Sequence, residues 1–391
     1  MLRILRNAEV YAPDHLGKRD LLIADRRIAA MAESLPKLPK GIEHEDVDLK
    51  GLRLMPGLID AHVHLIGGGG ESGPATRVPP VHLTQLSKAG ITTVIGVLGT
   101  DGTTRTVGDL VARTLGLREE GLSAHCYTGS YQIPVPTLTG SVRGDIVYID
   151  PVIGVGELAL SDHRSSQPTL DELLRVASDA HVAGMISGKA GIVHLHMGDG
   201  DRGLDLVRRA LEHTEIPARV LQPTHINRKR KLFDEACALA SRGGYLDVTA
   251  FPEEEDAGDM MYAAEAIARW LHADLPADRL TCSSDGLGCM PVFDGHGHIC
   301  AMEVGRPATL LEAIQKLLAD KLPLERFLPV FTKNIAELLR WPHKGRVEVG
   351  ADADLLVMSQ TGQVDAVLAR GTWLVRDGQP VVFGRFERSS V

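Results

Sequence analysis

Apolar and polar positions along the chain fall into two textures. From residue 1 to about 55, short runs such as Arg3-Ile4-Leu5-Arg6-Asn7-Ala8-Glu9-Val10, Asp20-Leu21-Leu22-Ile23 and Arg27-Ile28-Ala29-Ala30-Met31 are separated by polar turn residues, the pattern of short strands. Asp48 to Leu54 continues that style into Met55-Pro56-Gly57. The C-terminal stretch matches it, with strands predicted at Gly345-Arg346-Val347-Glu348-Val349-Gly350, Ala353-Asp354-Leu355-Leu356-Val357-Met358 and within Val364 to Val375. Neither end has enough apolar surface for a core of its own. The pattern therefore predicts one small β-sandwich built from both termini, residues 1–55 and 345–391.

The middle, residues 56–344, alternates apolar runs with helix-period segments. Strands are predicted at Leu58–Leu65, Thr92–Leu98, Ala124–Tyr131, Val152–Leu158, Ile192–His196, Ala218–His225, Tyr245–Thr249 and Leu280–Asp285. Helices are predicted between them, among others at Thr169–Ala183, Asp205–Glu212, Lys231–Arg242 and Ala263–Leu271. Eight β-α steps of this size fit an α/β fold, the (β/α)8 TIM barrel, typically about 250 residues long. A doubly wound open sheet is the alternative, but no Gly-x-Gly-x-x-Gly follows a strand where a nucleotide site would need it. Gly67-Gly68-Gly69-Gly70 lacks the Lys-Ser/Thr of a phosphate-binding loop and reads as a loop whose backbone comes close to something.

Composition narrows the partners. The 391-residue chain is 44% apolar and 24% charged, ordinary for a soluble globular protein. A net charge of −9 argues against nucleic acid or an anionic membrane as partner. Cys126, Cys237, Cys282, Cys289 and Cys300 are scattered without a Cys-x-x-Cys, which favours reduced thiols. No apolar run has the length of a membrane span, and Met1 to Asn7 alternates like a strand rather than a signal peptide. A cytoplasmic protein is expected.

Residues two apart on a strand point to the same face, so His62 and His64 present two imidazoles side by side. In a barrel the chemistry sits at the C-terminal ends of the strands. Reading the other predicted strand ends adds Tyr131, Glu157, His196, His225 and Asp285. Charged groups are rarely buried unless paired or metal-bound. His62, His64, Glu157, His196, His225 and Asp285 supply enough nitrogen and oxygen donors for two divalent ions. The plainer alternative is that these residues are incidental surface or core groups.

At this point the chain resembles the amidohydrolase superfamily, and within it the isoaspartyl (β-aspartyl) dipeptidases. The resemblance rests on Asp60-Ala61-His62-Val63-His64-Leu65-Ile66-Gly67-Gly68-Gly69-Gly70-Glu71, Ser161-Asp162-His163-Arg164-Ser165, His196-Met197-Gly198-Asp199, Pro223-Thr224-His225-Ile226-Asn227-Arg228 and Ser283-Ser284-Asp285-Gly286. It implies a TIM barrel with a small β-sandwich, two divalent ions (zinc above all) and hydrolysis of dipeptides linked through the aspartate side-chain carbonyl. His62 and His64 would hold the more buried metal with Asp285, and His196 and His225 the other. Asp285 would take the proton of a metal-bridging hydroxide and pass one to the leaving amine. Glu71 would bind the substrate's α-ammonium, Arg164 and Arg228 its carboxylates, and Tyr131 would polarise the scissile carbonyl. Gly69, Gly70 and Thr100 would complete the pocket, and the family's tendency to assemble implies a homo-oligomer.

Two positions depart from the family pattern. Well-known members bridge their metals with a carboxylated lysine seven residues before the arginine of Ser-Asp-His-Arg, where this chain has Glu157. Glutamate offers the same oxygen pair without carbon dioxide, so Glu157 is the expected bridge. Lys189, in a Ser-Gly-Lys-Ala-Gly loop, reads as a solvated lysine. Cys289 stands where the family has a serine near the substrate, and cysteine is the weaker hydrogen-bond partner. His163, beside Arg164, reads as structural or as a support to the site residues, and His82, His125, His181, His194, His213, His272, His296 and His298 read as ordinary histidines. Two other functions remain open at this stage: an amidohydrolase for cyclic amides or N-acyl amino acids, and a catalytically silent scaffold.

Overall fold

In the computed structural model, which describes residues 1–253, 258–293 and 299–387, strands β1 (Leu2–Tyr11), β2 (His15–Ala24), β3 (Arg27–Ala32), β4 (His44–Asp48) and β5 (Arg53–Pro56) form the N-terminal stretch. Then come β6 (Leu58–Val63), β7 (Ile91–Gly96), β8 (Ser123–Thr128), β9 (Val152–Leu160), β10 (Ile192–Met197), β11 (Leu221–Thr224), β12 (Leu246–Thr249) and β13 (Leu280–Ser283). A helix follows each of these eight: α1 (Leu83–Ser87), α2 (Val107–Glu119), α3 (Val142–Tyr148), α4 (Leu170–Ser187), α5 (Asp205–Glu212), α6 (Arg230–Ala240), α7 (Ala263–His272) and α8 (Ala308–Ala319). A hairpin of β14 (Cys289–Phe293) and β15 (Ile299–Val304) interrupts the step from β13 to α8. The chain ends with β16 (Leu355–Met358), β17 (Val364–Ala369), β18 (Thr372–Arg376) and β19 (Gln379–Pro380).

Strands β6 to β11 lie side by side in sequence order, all parallel, and β12 pairs parallel with β13. A bridge between Val63 and Gly286 returns the segment after β13 to β6. On the other side, Thr224 Oγ1 donates to Asp247 Oδ2 at 2.7 Å, linking β11 to β12. The barrel predicted from eight apolar runs is therefore present. Residues of β6, β7, β9 and β10 are buried on both faces, which is why these strands read as continuous apolar runs. The helices start and stop on local signals. Thr169 and Glu172 cap the start of α4 reciprocally (Thr169 N to Glu172 Oε2 2.8 Å), and Gly188 ends it in the left-handed region.

Both termini interleave in one nine-stranded sheet, in which β5 pairs antiparallel with β16, Pro56 opposite Leu355. Its own core includes Leu5, Leu21, Leu54, Leu355 and Trp373. The strand predicted at Gly345–Gly350 is absent. Gly345 and Gly350 have φ of 68° and 91°, and Val349 is 60% exposed, so the segment turns instead of pairing. Just before it, the Lys344 ammonium is held by Asp354 Oδ2 at 2.5 Å, Asp352 Oδ2 at 2.9 Å and Ser123 Oγ at 2.9 Å. Ser123 opens β8, so this cluster joins the terminal sheet to the N-terminal end of the barrel. Among the described residues no helix is long and apolar enough to cross a membrane.

Candidate metal centre

His62 on β6, Glu157 on β9 and His196 on β10 point inward near the strands' C-terminal ends, while His64 and His225 directly follow β6 and β11 and Asp285 stands two residues beyond β13. The six converge. Glu157 lies at the centre with its two oxygens facing different partners. Oε1 is 3.4 Å from His62 Nε2 and 3.5 Å from His64 Nε2, while Oε2 is 3.2 Å from His196 Nδ1 and 3.6 Å from His225 Nε2. Asp285 Oδ1 sits with the first set, 3.1 Å from His64 Nε2 and 3.4 Å from His62 Nε2. His62, His64 and Glu157, then His62, His225 and Asp285, and finally Glu157, His196 and His225 each gather donor atoms within 4.8 Å of one another.

The residues fit a divalent metal on grounds internal to this structure. His62 Nε2, His225 Nε2 and Asp285 Oδ1 are buried and have no hydrogen-bond partner, an expensive arrangement for polar atoms unless a cation completes it. The outer nitrogens of the rings are tied back. His225 Nδ1 lies 2.7 Å from Thr249 Oγ1, and His196 Nε2 lies 3.1 Å from Asp162 Oδ2. This is how metal-binding histidines are oriented. The cluster also demands positive charge. Burial works against a charged His62, yet the Glu157 and Asp285 carboxylates push its pKa up to about 9. Burial would raise Asp285, but His62 and its neighbours hold it well below the usual carboxylate range.

Above the donors lies a polar pocket lined by Glu71, Thr100, Tyr131, Arg164, Arg228 and Cys289, among others. It opens into a cavity of about 690 Å³ with Phe251, Met260 and Met290 in its wall. Tyr131 stands three residues beyond the end of β8 rather than at the strand end, with its hydroxyl 2.9 Å from His196 Nδ1. Burial, together with Glu157, raises the Tyr131 pKa and keeps the hydroxyl protonated. Arg164 forks onto Asp162 (Nε to Oδ1 3.0 Å, Nη2 to Oδ2 2.7 Å) and reaches Glu71 at 3.5 Å. The glycine loop does come close to something, namely its own chain. A Cβ at Gly69 would stand 2.3 Å from Thr76 O, and Gly68 N donates to Leu287 O. Gly70 borders a neighbouring recess with Glu71 and Thr100.

Several contributors were not expected from sequence. Asp162 belongs to a quoted motif but had no assigned part, and Arg105 had none. The buried Arg105 guanidinium gathers Gly68 O at 2.7 Å and Gly69 O at 3.0 Å. Gly99 passes so close that a Cβ there would lie 2.8 Å from His64 Cε1. His194, read as an ordinary histidine, is wholly buried beside His62. The period-two rule that paired His62 with His64 would have put it on the face of His196. Lys189 is not a solvated loop lysine. Its ammonium donates to Ile146 O, Ile149 O and Val152 O at 2.7, 2.7 and 2.9 Å, away from the donor cluster. His296 and His298 lie outside the described residues.

Comparison with known proteins shows the family. Residues 53–374 match the model of the amidohydrolase family. A β-aspartyl dipeptidase from Fervidobacterium islandicum AW-1, solved with β-Asp-Leu, is 43% identical, with 97% of each chain covered and a TM-score of 0.92. Dihydropyrimidinase from Brevibacillus agri shares the fold at 17% identity, covering 98% of this chain and 97% of its own, with a TM-score of 0.65. An allantoinase from Desulfitobacterium hafniense is 39% identical over 61 residues, so the match spans 16% of this chain and only 13% of that curated relative. The chain thus belongs to the amidohydrolase family and, by its full-length likeness, to the β-aspartyl dipeptidase group within it.

Proposed function

We propose that this chain hydrolyses β-aspartyl (isoaspartyl) dipeptides with two divalent metal ions, zinc above all. The observation that carries the reading is the split of Glu157, whose two oxygens face two separate sets of ring nitrogens beneath a pocket holding Glu71, Arg164 and Arg228. His62, His64 and Asp285 would hold one ion, His196 and His225 the other, with Glu157 shared. When bound, the ions would polarise the scissile carbonyl and make an attacking water acidic at neutral pH.

The chain's own residues do the rest. Asp285, ionised at neutral pH, takes a proton from the attacking water and delivers one to the nitrogen as the C–N bond breaks. The Tyr131 hydroxyl donates toward the carbonyl oxygen as charge develops on it. Glu71 pairs with the α-ammonium that only a side-chain-linked aspartate leaves free at this distance from the bond, and Arg164 and Arg228 hold the carboxylates. The Glu71–Arg164 contact of 3.5 Å is long enough for both groups to re-pair with substrate. Cyclic amides and N-acyl amino acids offer Glu71 no cation.

Amine release from β-Asp-Leu and α-Asp-Leu tests the reading. The β-linked peptide is expected to be cleaved and the α-linked one hardly at all. Equal or better kcat/KM on α-Asp-Leu would show the substrate assignment to be wrong.

A further inference from the structure

Two residues before His196 on β10, the buried His194 ring stands apart from the donor cluster. Its Nε2 lies 2.8 Å from His62 Nδ1, and its Nδ1 lies 3.0 Å from the side-chain oxygen of Gln222. Gln222 Nε2 donates to Thr281 Oγ1 at 3.2 Å, and Thr281 Oγ1 donates to Asp247 Oδ1 at 2.6 Å. Asp247 ends the line, its other oxygen accepting Thr224 Oγ1 at 2.7 Å and Ser283 Oγ at 2.5 Å. One side chain from each of β6, β10, β11, β13 and β12 thus forms a single path through the barrel interior, and all five are buried.

The far end of this path dictates the placement of every hydrogen in it. A carboxylate only accepts, so the one Thr281 hydroxyl hydrogen goes to Asp247 and a lone pair faces Gln222. That lone pair calls for the amide nitrogen of Gln222, which turns the amide oxygen toward His194. An amide oxygen only accepts, so His194 carries its hydrogen on Nδ1 and shows a bare Nε2 to His62. His62 then carries its own hydrogen on Nδ1, so Nε2, on the side of Glu157 and Asp285, is the nitrogen left to a metal ion. Reversing the order would set a Thr281 lone pair against the Asp247 carboxylate.

The geometry points to His194 and Gln222 as positioning residues that fix the tautomer of His62 and hold its Nε2 lone pair ready for a metal ion. The inference rests on the two-metal reading above. A histidine binds a metal through an unprotonated nitrogen, and the partner of its other nitrogen tunes that bond. Removing such a partner typically lowers metal affinity about 10–100-fold.

Zinc affinity of the full chain, measured by chelator competition, tests this. His194→Phe and Gln222→Leu are each expected to bind one zinc about 10–100-fold more weakly. His194→Gln keeps an acceptor for His62 Nδ1, Gln222→Asn keeps an amide with both its acceptor and its donor, and both are expected to recover much of the loss. The visible spectrum of the cobalt-loaded protein should shift in the first two variants and return toward wild type in the second two. Melting of the metal-free proteins separates this from a merely structural role, which would move His194→Phe and His194→Gln together in every readout. If His194→Phe does not fold, the Gln222 pair carries the comparison alone. Unchanged affinity in the deleting variants, or equal loss in the deleting and conservative ones, overturns the inference. Wild-type protein that binds no zinc overturns the two-metal reading, and this inference with it.

Discussion

Glu157→Gln keeps the shape of the proposed bridge and changes one oxygen to an amide nitrogen. In the structure Oε1 serves His62 and His64, and Oε2 serves His196 and His225, at 3.2–3.6 Å. The amide retains one acceptor, so one of the two sets would face N–H groups and lose its shared anionic ligand. Removing one partner from a buried ionic arrangement costs about 3–5 kcal/mol. At 1.4 kcal/mol per factor of ten, one metal should bind about 100- to 4,000-fold more weakly. Metal analysis after dialysis against a zinc buffer should then find one equivalent where wild type keeps two, with kcat falling alongside. The companion measurement is reconstitution of metal-free wild type. Zinc alone, in bicarbonate-free buffer, should restore full activity, because a glutamate needs no carbon dioxide to form its carboxylate. Two equivalents retained at wild-type affinity in Glu157→Gln, or a bicarbonate requirement in wild type, would refute the bridging role.

Asp285→Asn removes both the proposed ligand and the proposed proton carrier, and kcat should fall about 10²–10⁴-fold; activity within about tenfold of wild type would rule out that role. Arg228→Met should raise KM for β-Asp-Leu by about 1.5–3 kcal/mol, roughly 10- to 150-fold, through loss of a charge-assisted contact. An unchanged KM would make Arg228 a loop charge only. Gly99→Ala places a Cβ 2.8 Å from His64 Cε1, so unfolding free energy should drop by about 1–3 kcal/mol, with metal affinity reduced at the His62–His64 side. Urea denaturation of the metal-free protein and zinc competition check the two effects, and wild-type values in both would contradict the close approach.

The barrel could be read from the chain because its strands, covered on both faces, leave long apolar runs that no surface strand shows. The donors were legible for a related reason: His62, Glu157, His196 and Asp285 interrupt or end such runs, where a charged or polar group needs a partner. Groups whose significance depends on a distant backbone were not. Lys189 looks solvated until the carbonyls around the end of α3 and the start of β9 are brought together at its ammonium. Arg105 likewise means nothing until the glycine loop folds over it. The missing strand at Gly345–Gly350 failed for the opposite reason. Its alternation of Val347 and Val349 is local, but glycines at both ends turn the backbone, and the segment meets the sheet through isolated contacts, such as Gly350 N–H donating to Ile28 O at 2.8 Å, instead of a ladder.

The cluster around Lys344 lies at the opposite end of the barrel from the donors, where the terminal sheet meets the start of β8. Anchorage and chemistry are thereby kept on separate floors of the same cylinder, with the length of the strands between them. Substitutions around Asp352, Asp354 and Ser123 can tighten or loosen the attachment of the two terminal segments without moving a ring nitrogen. Stability contributed at this junction is thereby separated in space from the chemistry at the other end.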